Sequence, residues 1–169
     1  MIDEIINNLE DRANIHKGEN YLLANLSNEV INGDMRGWIC GHFYPKGSVF
    51  HRNDIEICFK IIPVGFEEKL HYHLCSFEFL LILTGKVEYE IDGNRHVMTP
   101  GMFYMLHPGS TERIVKVYEE ITVLAVRLPS VPGNKIFVEP RQGGIGDKKD
   151  EKRNRGSGAR ARRVPARKG

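Results

Sequence analysis

From residue 37 to residue 128 the chain runs in short stretches of alternating apolar and polar residues, with turn signals between them. Ile55, Ile57, Phe59 and Ile61 alternate with Glu56, Cys58 and Lys60, and Val87, Tyr89 and Ile91 alternate with Glu88, Glu90 and Asp92. Side chains two apart in a strand share a face, so both runs have the period of a half-buried strand. Asp92-Gly93-Asn94 reads as a hairpin turn, and Pro100-Gly101 and Pro108-Gly109 punctuate the next strand. Short strands closely spaced by turns predict an antiparallel sandwich or barrel over 37–128. No helical period interrupts them, which argues against a βαβ architecture.

The flanks differ from this body. Ile2, Ile5, Ile6 and Leu9 fall at helical spacing and predict a short amphipathic helix within an N-terminal extension, 1–36. In the same extension Tyr21-Leu22-Leu23 is a candidate strand and Asn32-Gly33-Asp34 a turn. Residues 129–140 hold three prolines and read as an exit strand or loop. Residues 1–140 carry 13 Lys+Arg against 19 Asp+Glu, and residues 141–169 carry 11 against 3, so net charges of −6 and +8 underlie the overall +2. A tail rich in Arg, Lys, Gly and Ala buries too little surface to offset chain entropy and is expected to be disordered. It could touch nucleic acid through its charge, but it has no aromatic residue to stack on bases, and a solvated tail is the preferred expectation. No apolar run reaches the roughly 20 residues that cross a bilayer. The acidic start, Met1-Ile2-Asp3-Glu4, lacks the features of a secretory signal, so a cytoplasmic location is expected. Cys40, Cys58 and Cys75 are odd in number and widely spaced, which predicts reduced, small apolar fillers rather than disulfides.

His71-Tyr72-His73 carries the chemistry. On a strand the two imidazoles project from one face, and Glu78, opening the next strand after a short reversal, can return a carboxylate to the same point. Two histidines and a carboxylate form the facial arrangement that holds Fe2+ or a similar ion while leaving positions open.

The spacing Gly65, five residues, His71, one residue, His73, four residues, Glu78, six residues, Gly85 fills every fixed position of the first cupin motif. The chain thus resembles the cupin superfamily over about residues 65–113. The resemblance implies a double-stranded β-helix, or jelly-roll barrel, with a metal inside, held by His71, His73 and Glu78. The second cupin motif follows in frame from Gly101 through Gly109, but with His107 where the family has proline and Glu112 where it has the fourth ligand, a histidine. Lys116 stands where the family has asparagine. Glu112 can therefore be a fourth ligand, favouring harder ions such as Mn2+ or Fe2+, or a base beside the metal. Alternatively His107 supplies the fourth ligand, or Glu112 faces solvent beside Arg113.

Lys69 shares parity with His71 and His73; it would steer an anionic substrate group, or reach to water from the start of its strand. Leu80 and Ile82 share parity with Glu78 and would form an apolar floor. Tyr89 and Tyr104 are candidate lining residues, with barrel core as the alternative. Phe79, Leu81 and Leu83 make the opposite face apolar too, so the N-terminal helix or a second subunit must cover it; cupins often pair this way, which implies a homodimer. The leading expectation is a small metal-dependent enzyme, of dioxygenase or isomerase/decarboxylase type, using Fe2+, Mn2+ or Zn2+ on a small polar or anionic molecule. The alternative is a non-enzymatic module that senses a metal or small ligand.

Overall fold

In the computed structural model, residues 15–25 and 36–138 are described, and all their regular structure is β. Among them no helix is long and apolar enough to cross a membrane. The expected N-terminal helix, the turn at 32–34 and the basic tail lie outside the described residues.

A small hairpin comes first, β1 (His16–Lys17) against β2 (Leu22–Leu23). The body is a curled eight-stranded sheet: β3 (Trp38–Cys40), β4 (Glu56–Ile62), β5 (His71–His73), β6 (Phe77–Ile91), β7 (Asn94–Met98), β8 (Phe103–Leu106), β9 (Thr111–Leu128) and β10 (Lys135–Phe137). All strand pairings are antiparallel. Two long strands organise it. One flank of β9 pairs with β6 along most of its length; the other pairs first with β5 and then with β4. The predicted exit segment returns as β10 and covers the free edge of β5.

The sheet curls around a core that includes Leu80, Ile82, Val87, Tyr89, Ile121 and Val123. Val87 and Tyr89 are buried on the inner face, as their alternation predicts. In β4 the alternation holds but its polar side faces inward: Glu56, Cys58 and Ile62 are buried and Lys60 is half-buried, whereas Ile61 is exposed. Ile55 and Ile57 instead pack outside, against a second cluster of Cys40, Tyr44 and Phe50. The interior accepts polar β4 side chains because it also holds buried charged groups from β5, β6 and β9. Cys40, Cys58 and Cys75 are free; the first two are buried, and Cys75 is exposed.

Asp92-Gly93 turns the β6–β7 hairpin with positive φ at both residues, +46° and +78°. Gly85 is more constrained. Its φ is +79°, and a Cβ there would lie 2.0 Å from the Glu120 carbonyl oxygen. Gly65, the other motif glycine, also has positive φ, +86°, but open space around it. Gly85→Ala is therefore expected to lower unfolding free energy by more than about 3 kcal/mol, because a backbone clash adds to the conformational cost. Gly65→Ala is expected to cost only about 1 kcal/mol. Denaturant unfolding of both variants checks this, and equal losses would contradict it.

Candidate metal centre

Five side chains converge inside the sheet. His71 and His73 project inward from β5, Glu78 from β6, Tyr104 from β8 and Glu112 from β9, and all are buried. Strand register accounts for two of the meetings. His71 sits directly opposite Glu112, and Glu78 opposite both Leu106 on β8 and Arg127 on β9. Both histidines stand on the inner face because they are two apart on one strand, with Tyr72 between them turned the other way.

The ring of His71 is oriented by its own chain. Its Nδ1 lies 3.0 Å from the Lys69 carbonyl oxygen. A carbonyl only accepts, so Nδ1 carries the proton, and in the neutral ring Nε2 presents a lone pair to the interior. That lone pair faces Glu112 Oε1 at 3.4 Å. His73 Nε2 is buried and has no hydrogen-bond partner among the described residues, although Glu78 Oε2 lies 2.9 Å away. Leaving such an atom unsatisfied costs about 1–3 kcal/mol. A lone pair facing a carboxylate oxygen, and an orphaned nitrogen beside another, both lack a positively charged partner.

A divalent ion fits that need. His71, His73 and Glu112 each offer a donor atom, all within 4.8 Å of one another. The 3.4 Å and 2.9 Å separations match the roughly 2.8–3.6 Å between donors that share an ion at about 2.0–2.2 Å. Two imidazoles with carboxylate oxygens suit Fe2+, Mn2+ or Zn2+.

The two carboxylates have different surroundings. Burial pushes the Glu78 carboxyl up, but His73 and the Arg127 guanidinium outweigh it and hold it well below the usual carboxylate range. Arg127 Nε donates to Glu78 Oε2 at 2.8 Å, and Arg127 Nη1 lies 3.4 Å from Glu56 Oε2. Glu112 is pushed up to about 7, first by burial and then by the charge of Glu78. Tyr104 lies between them: its hydroxyl donates to Glu112 Oε2 and sits 3.4 Å from Glu78 Oε1. Burial, followed by the charges of Glu112 and Glu78, raises the Tyr104 phenol far above its ordinary value, so it stays protonated.

A cavity of about 370 Å³ opens onto the site. Its lining includes His71, Glu78, Glu112, Tyr104 and Tyr89, with Leu80 among the apolar residues between them. Of the predicted apolar floor, Leu80 lines the cavity, whereas Ile82 is buried in the core and is not among the lining residues. Lys69 is exposed and does not line the cavity; it stands before β5 begins, where its side chain reaches solvent. His107 is exposed and packs edge-on against Phe77, outside the cluster. Glu112 is only 2% exposed, so it does not face solvent beside Arg113.

Several residues of the site escape the sequence reading. Arg127 ends an inward stripe, Ile121, Val123, Ala125 and Arg127, and a charge continuing an apolar parity was its signal. Asn134 comes from the exit segment. Its Oδ1 accepts from the Cys75 backbone N–H at 2.9 Å, and its Nδ2 donates to Ser76 Oγ and lies 3.4 Å from His73 Nδ1. It thus braces the turn between the histidines and Glu78, a contact made 61 residues away from His73.

Residues 58–126 match the sequence profile of the cupin domain. They form a cupin domain. Among solved structures, a conserved protein with a double-stranded β-helix domain from Klebsiella pneumoniae is 20% identical, with 54% of this chain and 81% of that chain covered and a TM-score of 0.47. KdgF from a Halomonas species is 17% identical, covering 48% of this chain and 74% of that one, with a TM-score of 0.45. A putative sugar phosphate isomerase from Acidithiobacillus ferrooxidans is 20% identical over 44% of this chain and 50% of that one, with a TM-score of 0.42. No curated protein matches the sequence.

In this cupin domain Glu112 must lose its proton before it can bind a metal ion. With that group near 7 in the metal-free protein, protons compete with the metal below that pH and not above it. Affinity is expected to fall about fivefold as pH drops from 7 to 6 and roughly tenfold per unit below that, with little change from 8 to 9. Isothermal titration calorimetry in buffers of different ionisation enthalpy would register about one proton released per ion at pH 6. Affinity independent of pH between 6 and 8 would contradict the assignment of Glu112 to the ion.

Proposed function

We propose that this chain is a small metal-dependent enzyme of isomerase or decarboxylase type, acting on a small oxygen-bearing anion. The observation that carries the reading is the orphaned His73 Nε2 in a buried, carboxylate-rich site that also lines a cavity. His71, His73 and Glu112 would hold the ion, with Glu78 as the further ligand. When bound, the ion would act as a Lewis acid on a substrate oxygen.

The chain's own residues would do the rest. Tyr104 and the Glu112 Oε2 atom it bonds would hold and return the substrate's proton; what supports this is that the two are hydrogen-bonded and both line the cavity. Arg127 keeps Glu78 ionised and fixed, so the two carboxylates do not exchange roles. Leu80, Ile114 and Val123 would exclude water and strengthen these interactions. The proton-carrying Tyr104–Glu112 pair favours proton transfer over the dioxygenase alternative.

Stripped protein titrated with Mn2+, Fe2+ and Zn2+ is expected to take up one equivalent, and His71→Ala to bind more than about 100-fold more weakly. A wild-type protein as metal-poor as the variant would sink the reading. Loaded protein offered small hydroxy and keto acids in D2O is expected to wash deuterium into carbon-bound positions by NMR, and Glu112→Gln to abolish this. Oxygen uptake instead would restore the dioxygenase, and metal binding without turnover would favour the sensing module.

The same reading includes a homodimer. What supports it is an apolar outer sheet surface, with Leu83 38%, Phe103 54% and Met105 59% exposed and the Phe79 ring packed at a tilt against Phe103. Phe103→Glu is expected to convert a dimer to a monomer by sedimentation while leaving metal content unchanged.

A further inference from the structure

A second wall of the cavity carries charge that the metal centre does not use. Glu56, Cys58, Lys60 and Ile62 share the inner parity of β4, and Lys60 lines the cavity opposite the buried Val123 in the β4–β9 register. A lysine on the inner face of a half-barrel requires an account. Most lysines near a core are turned to solvent or paired with an acid. Lys60 is half-buried and forms no ion pair among the described residues. Its Nζ lies 5.2 Å from the ring centroid of Trp38, which also lines the cavity. That contact steadies the ammonium but, among the described residues, leaves its hydrogen-bond donors uncommitted.

Arg127 provides the contrast. It too lies over Trp38, with Cζ 4.8 Å from the ring centroid, but its guanidinium is engaged by Glu78 and Glu56. Glu68, another lining acid, is paired with Lys135 at 2.6 Å. The lining cations left without a carboxylate among the described residues are Lys60 and, beside it in the lining, Arg36. The wall built by Trp38 and Lys60 is therefore cationic, while the wall built by His71, Glu78 and Glu112 is suited to a metal.

We propose that Lys60, set on Trp38, is an anion-binding subsite that holds a carboxylate or phosphate group of a small substrate inside the cavity. The proposal deepens the metal-dependent reading and rests on it for the reaction, though the binding contact itself does not require the ion. It replaces Lys69, which does not line the cavity, as the group that selects an acid. The substrate class it names is a small molecule with an acid group at one position and a metal-seeking oxygen at another.

Trp38 is the chain's single tryptophan, so its fluorescence reports on the subsite directly. Full-length, zinc-loaded protein is titrated with malonate and, separately, with the neutral malonamide. Malonate is expected to give a saturable change and malonamide none at the same concentrations. Lys60→Met is expected to weaken malonate about tenfold or more, the loss of one charged hydrogen bond, and Lys60→Arg to stay within about threefold. Zinc content and thermal unfolding of each variant are measured alongside and are expected to match wild type. Malonate bound by Lys60→Met as tightly as by wild type, or malonamide bound as well as malonate, overturns the subsite even if zinc is bound. If wild type takes up no zinc yet malonate binding still depends on Lys60, the subsite stands and the metal-dependent reading falls.

Discussion

Glu56, Glu78, Glu112 and Arg127 are carried into the interior of a half-barrel whose other inner residues are largely apolar. Ionised groups in such a place are costly unless each finds a partner, and much of the surrounding arrangement follows from that need. Arg127 spans two of the carboxylates. Tyr104 donates to the third. What remains is an imidazole lone pair aimed at a carboxylate and a second imidazole nitrogen that, 2.9 Å from Glu78 Oε2, makes no hydrogen bond among the described residues. The centre is electrostatically incomplete at one point, and a cation at that point would complete it.

The scaffold delivers these groups through two long strands. β9 places Glu112 opposite His71 near one end and Arg127 opposite Glu78 and Glu56 near the other. Gly85, at positive φ, sits among several register shifts between β6 and β9, where any side chain would strike the Glu120 carbonyl. β10 closes the edge of β5, and Asn134 just before it braces the turn that joins the histidine strand to the Glu78 strand. The short β5 is therefore held from both flanks, which gives side chains on a three-residue strand a fixed aim.

Charge is divided between the walls of the cavity. The paired carboxylates and imidazoles on β5, β6 and β9 are suited to a metal ion, and Lys60 on β4 is suited to an anion. Leu80, Ile114 and Val123 line the same space without polar atoms of their own, so charges placed in it act over a low dielectric. A small molecule with an acid group and a second oxygen would satisfy both walls together, which neither a hydrocarbon nor a cation could do.

The strand periods, the hairpin at Asp92-Gly93, the common face of His71 and His73, and the cupin spacing that brings in Glu78 and, by position, Glu112 are all legible in the order of residues. These are local quantities, set by the two-residue repeat of a strand and by residues that accept positive φ. Which face of each strand lies inside is settled by the closing of the sheet. In β4 the isoleucines suggested one side, but the curl of the sheet turned Glu56, Cys58 and Lys60 inward and gave Ile55 and Ile57 a separate cluster outside. It also decided that Lys69 meets solvent and that Arg127 and Asn134 reach Glu78 and the histidine turn across 49 and 61 residues of chain. Period fixes which side chains travel together, whereas inside and outside depend on how distant strands close around one another.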